Sequence, residues 1–499
     1  MTTPRSIHRP ELHVTPEVGV LDAPAGALLD RDTWHLFAQF RPRVDKPARW
    51  GHIMGAENPF EWEFCDDVLA PEGDEVMVRA GSVVAEGQAL NIYYTSVRKA
   101  GPNQDTAIGL ARIEDVNSIG HEVADDPSFV DPNVKRLGII IDDLGEFENF
   151  RSPCVVPDWI SQDDRDEGHE GWLMLAVTGP SDHPVPVMLR SEDGRSWEFL
   201  GPWKIEGASG LEDIERVVSP RIVRLRDEVD DRIYDVVLVT CEQDGVDISG
   251  YLVGRFEGNT FHVTTPFTSI DQGHDFVRPR NTNVTPGTIP TGQRYERAMI
   301  FGLLNGIGRF DDPTLHLSLR AEGWANCLSF PRLITLQGGK IYQTPPPGLT
   351  DAIADTKHAA AWIGLCDVPE GSALKVEILD GADRVCATVT HRGDTLTLDR
   401  SMNPHHRDEG PLDEPAVATL EEGDTDSLSI FVDGSTVEVF ADGGMVAMAS
   451  RVYFDGGTPR FEVEESGGAK ILRAFQHFPE DFSSAGLPED FGEYEGPVR

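Results

Sequence analysis

The sequence predicts an all-β chain in which a large β-propeller domain is followed by a smaller β-sandwich. Three observations lead there. Long amphipathic helical patterns are scarce, while short alternating or apolar runs bounded by Gly, Pro, Asp and Asn recur throughout. The runs fall at intervals that suit blades of four short strands, although no sharp repeated motif counts the blades. Finally, 499 residues are too many for one ordinary core.

In the larger domain the runs 33–39, 89–96, 171–178, 217–225, 233–240 and 298–304 each read as one strand. The consecutive prolines of Thr344-Pro345-Pro346-Pro347-Gly348 cannot donate ladder hydrogen bonds and stiffen a connector. The boundary is therefore expected there, with the propeller in 1–344 and the sandwich in 349–478. Beyond it, 373–378, 385–390, 395–398, 428–432, 436–440 and 447–453 read as antiparallel sandwich strands. Residues 479–499, rich in Pro, Gly and acids, read as a loosely held acidic tail.

Lys and Arg total 43 against 85 Asp and Glu, a formal net charge of -42 that repels phosphate backbones and anionic lipid. Nucleic acid and membrane surfaces are thus not expected as partners, and the acids read as a solvated surface. No apolar run approaches the roughly 20 residues of a membrane span, and residues 1–10 lack the apolar segment of a secretory signal. A cytoplasmic protein is expected. The six cysteines lie far apart without a C-x-x-C pair, which predicts reduced structural thiols rather than zinc ligands or a disulfide framework. The pattern sets no oligomeric state.

Five segments, in order, carry a resemblance. They are Arg9-Pro10-Glu11-Leu12-His13; the run from Trp34 to Pro42 with Trp50-Gly51-His52; the run from Gly323 to Arg332 with Gly338 to Gln343; Leu398-Asp399-Arg400-Ser401; and the run from Ile430 to Phe440. Together they resemble family 32 of the glycoside hydrolases, the invertases and related β-fructofuranosidases. The resemblance implies a five-bladed propeller and hydrolysis of β-fructosides such as sucrose or sucrose phosphate, with no metal or organic cofactor. It also implies retention of configuration, which needs a carboxylate nucleophile and a carboxylic acid about 5 to 5.5 Å apart.

The family places its nucleophile in Asn-Asp-Pro-Asn-Gly, and the matching stretch here is Asp22-Ala23-Pro24-Ala25-Gly26, with Ala23 at the nucleophile position. Its Arg-Asp-Pro motif becomes Arg151-Ser152-Pro153, and its Glu-Cys-Pro-Asp motif aligns with Val218-Ser219-Pro220-Arg221. All three acids are replaced. General acid or base catalysis is worth about 10² to 10⁴ in rate, and alanine and valine have no chemistry to substitute for it.

Asp22, at the motif's first asparagine, is the candidate catalytic carboxylate; the plainer reading is a strand-start residue bonding nearby backbone. Glu212, Asp213 and Glu215 read as solvated loop residues. Gln39, Trp50, Arg151 and Ser152 are the candidate substrate-binding residues: by resemblance, Gln39 and Trp50 match positions that contact the fructosyl ring, while tryptophan is also a common core residue. Asp271-Gln272-Gly273-His274-Asp275-Phe276 resembles a family segment beside the funnel. Arg79, Arg151, Arg221, Arg278 and Arg280 either pair with the abundant acids or, grouped at one mouth, suit a phosphorylated or carboxylated sugar. Three functions follow as alternatives: a fructosidase, a fructoside-binding or regulatory protein without turnover, or an enzyme of altered chemistry built on Asp22.

Overall fold

The computed structural model describes residues 7–56, 59–98, 105–120, 123–124, 126, 129–214, 216–243, 246–306, 312–406, 414–421 and 426–480. Residues 481–499 of the expected tail, and Glu215, lie outside the described residues.

The N-terminal sheets form a β-propeller of successive antiparallel four-strand units. The first strands of the units are Gly19–Asp30, Met77–Glu86, Arg151–Trp159, Arg221–Arg226 and Phe276–Val284. Each touches the next, and the ring closes where Ala27 to Leu29 pair in parallel with Thr282 to Val284. These strands are crowded on both faces, so small residues collect on them: Ala23, Ala25 and Ala27 are buried. At Gly26 a Cβ would lie 2.5 Å from Val83 of the neighbouring unit, which leaves room only for glycine.

The C-terminal sheets stack as a sandwich. One is ordered Val446–Arg451, Thr436–Ala441, Asp426–Asp433, Ala360–Asp367, Lys470–His477; the other Ala416–Thr419, Thr395–Asp399, Val385–His391, Ala373–Leu379, Arg460–Ser466. Alternation of buried and partly exposed residues along Thr395–Asp399 shows one face turned into the shared core, which includes Trp362, Val376, Leu396 and Met448. The proline-rich connector follows strand Lys340–Thr344 and precedes a short helix, Leu349–Ala354. No helix among the described residues is long and apolar enough to cross a membrane.

The run 217–225, expected as one strand, is broken. Arg216–Val217 and Arg221–Arg226 pair separately with Ile233–Gln243. Between them Pro220 has no N–H to give the ladder, and Val218 N–H and Ser219 C=O both turn to Thr240.

Propeller and sandwich meet on a buried polar network. Glu438, with no exposure, accepts from Nη2 of Arg332 at 2.8 Å and from Phe330 N–H at 2.7 Å. Arg332 also pairs with Asp271 at 2.8 Å. Asp433 accepts from the backbone N–H groups of Glu11, Leu12 and His13, and the His13 ring spans Asp433 and Glu438 at 2.7 and 3.1 Å. The acids of the segment 271–275 are engaged at this junction: Asp275 pairs with Arg400 at 2.6 Å, and Gln272 and Asp275 N–H groups donate to Ala447 and Ala449.

Breaking one member of a buried ion network leaves the others desolvated and unpaired. Glu438→Gln should therefore lower stability by about 3–5 kcal/mol, measured by urea denaturation. Burial opposes charging of His13, but Asp433 and Glu438 outweigh it, and its pKa is raised above the ordinary 6.5. A group raised on folding contributes fully below its unfolded value and loses that contribution as pH rises through its folded value. The melting temperature should therefore fall as pH rises above 6.5, and His13→Gln should flatten this slope.

Candidate functional site

The N-terminal ends of the propeller's first strands hold the aligned motif positions, and most of these strands bulge at that level. Leu21 pairs with Phe40 and Ala23 with Gln39, so Asp22 is the extra residue between them. Similar irregularities occur between Arg79 and Ser82, between Val277 and Arg280, and opposite Arg151 to Cys154. A bulge turns the strand and re-aims a side chain that strict alternation would send elsewhere.

Asp22 is buried, and Arg41 clamps its carboxylate: Nε lies 3.0 Å from both oxygens and Nη2 2.7 Å from Oδ1. The plainer sequence reading, a bond to nearby backbone, misses this side-chain partner. Ala23 packs in an apolar cluster with Ala25, Trp50 and Ala80. Gln39 accepts from Ala80 N–H at 2.7 Å and so ties the first unit to the second. Trp50 is fully buried and its indole N–H donates to the Arg79 carbonyl at 3.0 Å, which places it as a support for Arg79.

Arg151 donates to the carbonyls of Asn149 and Gly179 at 2.9 and 2.6 Å. Burial, with Arg79 nearby, lowers its pKa to about 10, which leaves it cationic at neutral pH. Ser152 has φ of 54°, in the left-handed region that non-glycine residues enter at a cost. Its N–H donates to Thr95 Oγ1 at 2.9 Å and its carbonyl accepts from Arg221 at 2.7 Å. Val218, at the acid/base position, offers only backbone to the ladder.

The arginines converge. Arg278 donates to the Asp22 carbonyl at 2.9 Å and pairs with Asp247 at 2.9 Å. Burial, the largest influence, and the nearby Arg278 lower the Arg79 pKa, and Asp22 opposes them without reversing the direction. Arg280 lies beside Arg221 and Arg278 and donates to Ser219 Oγ at 3.1 Å. The structure thus connects Asp22 to Arg151 through Arg79 and joins Ser152 to Arg221, while Gln39 and Trp50 bond the backbone of Ala80 and Arg79.

Two residues of the candidate site escaped the sequence reading. Arg41 was visible within the resembling segment, but its aim at Asp22 depends on the bulge. Asp247 lies on the third strand of its unit, and only the hairpin register puts it beside the site.

The left-handed Ser152 gives a stability test. Ser152→Val should cost about 1–3 kcal/mol, because a β-branched residue resists that backbone, while Ser152→Gly and Ser152→Asn should stay within about 0.5 kcal/mol of the parent in denaturation midpoints.

Comparison with known proteins agrees with the architecture. Residues 13–345 match the model of the glycosyl hydrolases family 32 N-terminal domain, and residues 381–478 match that of the family 32 C-terminal domain. The chain is 25% identical to a sucrose-6-phosphate hydrolase of Bacillus subtilis over 485 residues, 89% of each chain. Among solved structures, a sucrose-6-phosphate hydrolase from Lactobacillus gasseri superposes with a TM-score of 0.72 at 17% identity, covering 95% of this chain and 94% of that one. A mutant of the Bombyx mori β-fructofuranosidase in complex with sucrose superposes with a TM-score of 0.70 at 20% identity, covering 95% and 94%.

Proposed function

The chain belongs to glycosyl hydrolase family 32, and on that premise we propose that it binds a small β-fructoside-type carbohydrate in the propeller funnel without performing the family's retaining hydrolysis. The reading assigns residues 1–344 to a five-bladed propeller, 349–478 to the sandwich, and Asp22, Gln39, Arg151 and Ser152 to the funnel, with Trp50 supporting its wall.

One observation carries it: the Asp22 carboxylate has both oxygens engaged by Arg41. Attack on an anomeric carbon needs a carboxylate with a lone pair directed at the sugar, and protonation of the leaving oxygen needs a carboxylic acid across from it. Paired with a guanidinium, Asp22 has its charge and most of its lone pairs directed at Arg41, which weakens it as a nucleophile. Asp247 is likewise paired to Arg278. Ala23 and Val218 carry no ionisable oxygen, and Ser152 offers a hydroxyl that can hydrogen-bond a sugar but not protonate it at neutral pH. What remains suits recognition: arginine donors, the Ser152 hydroxyl and a scaffold shared with proteins named for fructoside hydrolysis.

The test is to incubate purified protein with sucrose, sucrose phosphate and fructans while measuring binding by calorimetry. Saturable binding without release of fructose is expected. Release of fructose that disappears in Asp22→Asn would establish an enzyme instead.

A further inference from the structure

We propose that the floor of the funnel is an oxyanion site that takes the carboxylate or phosphate of an acidic sugar, so that the ligand's charged group itself stands where the family's motif acids would be. The inference rests on the sugar-binding reading above and specifies its ligand.

The whole chain carries a net charge of -42, yet arginines from several propeller units gather at its axis. Arg151 neighbours Arg79, Arg79 neighbours Arg278, and Arg280 neighbours both Arg278 and Arg221. Among the described residues Asp22 pairs with Arg41 and Asp247 with Arg278, whereas Arg79, Arg151, Arg221 and Arg280 form no ion pair with a carboxylate.

The deepest two arginines are the most telling. Arg221 is 1% exposed, and Arg280 is 5% exposed. Nη1 of Arg221 donates to the carbonyls of Ser152 and Pro220, while its Nε and Nη2 find no oxygen or nitrogen acceptor among the described residues; the Cys154 thiol lies beside it. Nη1 of Arg280 donates to Ser219 Oγ and the Pro279 carbonyl, and its Nε finds none. Arg151 donates only to backbone carbonyls. Buried guanidiniums of this kind are held at a desolvation cost that a matching anion removes. Their planar, forked donors fit the two oxygens of a carboxylate or the three of a phosphate.

These groups also stand at the motif positions. Arg221 replaces the last residue of the family's Glu-Cys-Pro-Asp motif, and Ala23, Ser152 and Val218 remove the three acids that would repel an anion. Lost acid and gained base at one level of the propeller convert its preference from a neutral ring to an anionic one.

The experiment is titration calorimetry of the full chain with fructose, D-gluconate, fructose 6-phosphate and inorganic phosphate, repeated on Arg79→Gln and Arg151→Gln. Because either variant could fold poorly, the rise in melting temperature of the parent protein with each compound is measured alongside. The expected result is that gluconate or fructose 6-phosphate binds at least about 30-fold more tightly than fructose, weakens about tenfold or more in both variants, and raises the melting temperature. Whichever of the two binds identifies the source of the oxyanion. Fructose binding as tightly as both acids, unchanged in the variants, would overturn the oxyanion site and leave the sugar-binding reading standing. Inorganic phosphate binding as tightly as fructose 6-phosphate, with no binding of fructose, would uphold the oxyanion site and remove the sugar from the reading. Silence from all four compounds in both measurements would overturn both.

Discussion

The first strands of the propeller converge on one axis, and the space left between them decides which side chains can stand there. Alanine and glycine fill the closest approaches, as Gly26 against Val83 illustrates. Where a larger group must enter, the strand bulges to make room, and Asp22 occupies such a bulge. The same constraint delivers the arginines of the neighbouring strands to one level. Site and scaffold are thus two consequences of a single packing requirement.

Electrostatics at the axis and at the junction follow opposite strategies. Between propeller and sandwich, buried charges are matched: Glu438 and Asp271 face Arg332, while Asp275 faces Arg400. Matched pairs hold two bodies in one arrangement because separating them leaves charges without partners. At the axis, Arg221 and Arg280 form no ion pair with a carboxylate among the described residues, in a chain that has almost twice as many acids as bases.

The retained and altered parts of the family pattern divide along the same line. The segments that build the junction are kept: His13, Arg332, Asp433 and Glu438 all lie within resembling runs and all sit in one network. By the motif alignment, the departures are Ala23, Ser152, Val218 and Arg221. A scaffold preserved around a changed site is what a changed ligand or a lost reaction would leave behind.

Much of the fold was legible in the residues, since strand runs and turn residues are local signals; the expected strand 298–304 coincides with Ala298–Leu304. The failure at 217–225 had a local cause too, Pro220, whose missing N–H outweighed the apolar pattern around it. By itself the sequence determined the all-β class and the family pattern, because each is written in the order of residues. Only the tertiary structure decided that Arg41 closes on Asp22, that the Trp50 indole bonds the Arg79 carbonyl, and that Arg221 and Arg280 lie together with no carboxylate partner among the described residues. Those outcomes depend on bulges, cross-strand register and contacts between distant units, and a partner chosen through space leaves no trace in the spacing along the chain.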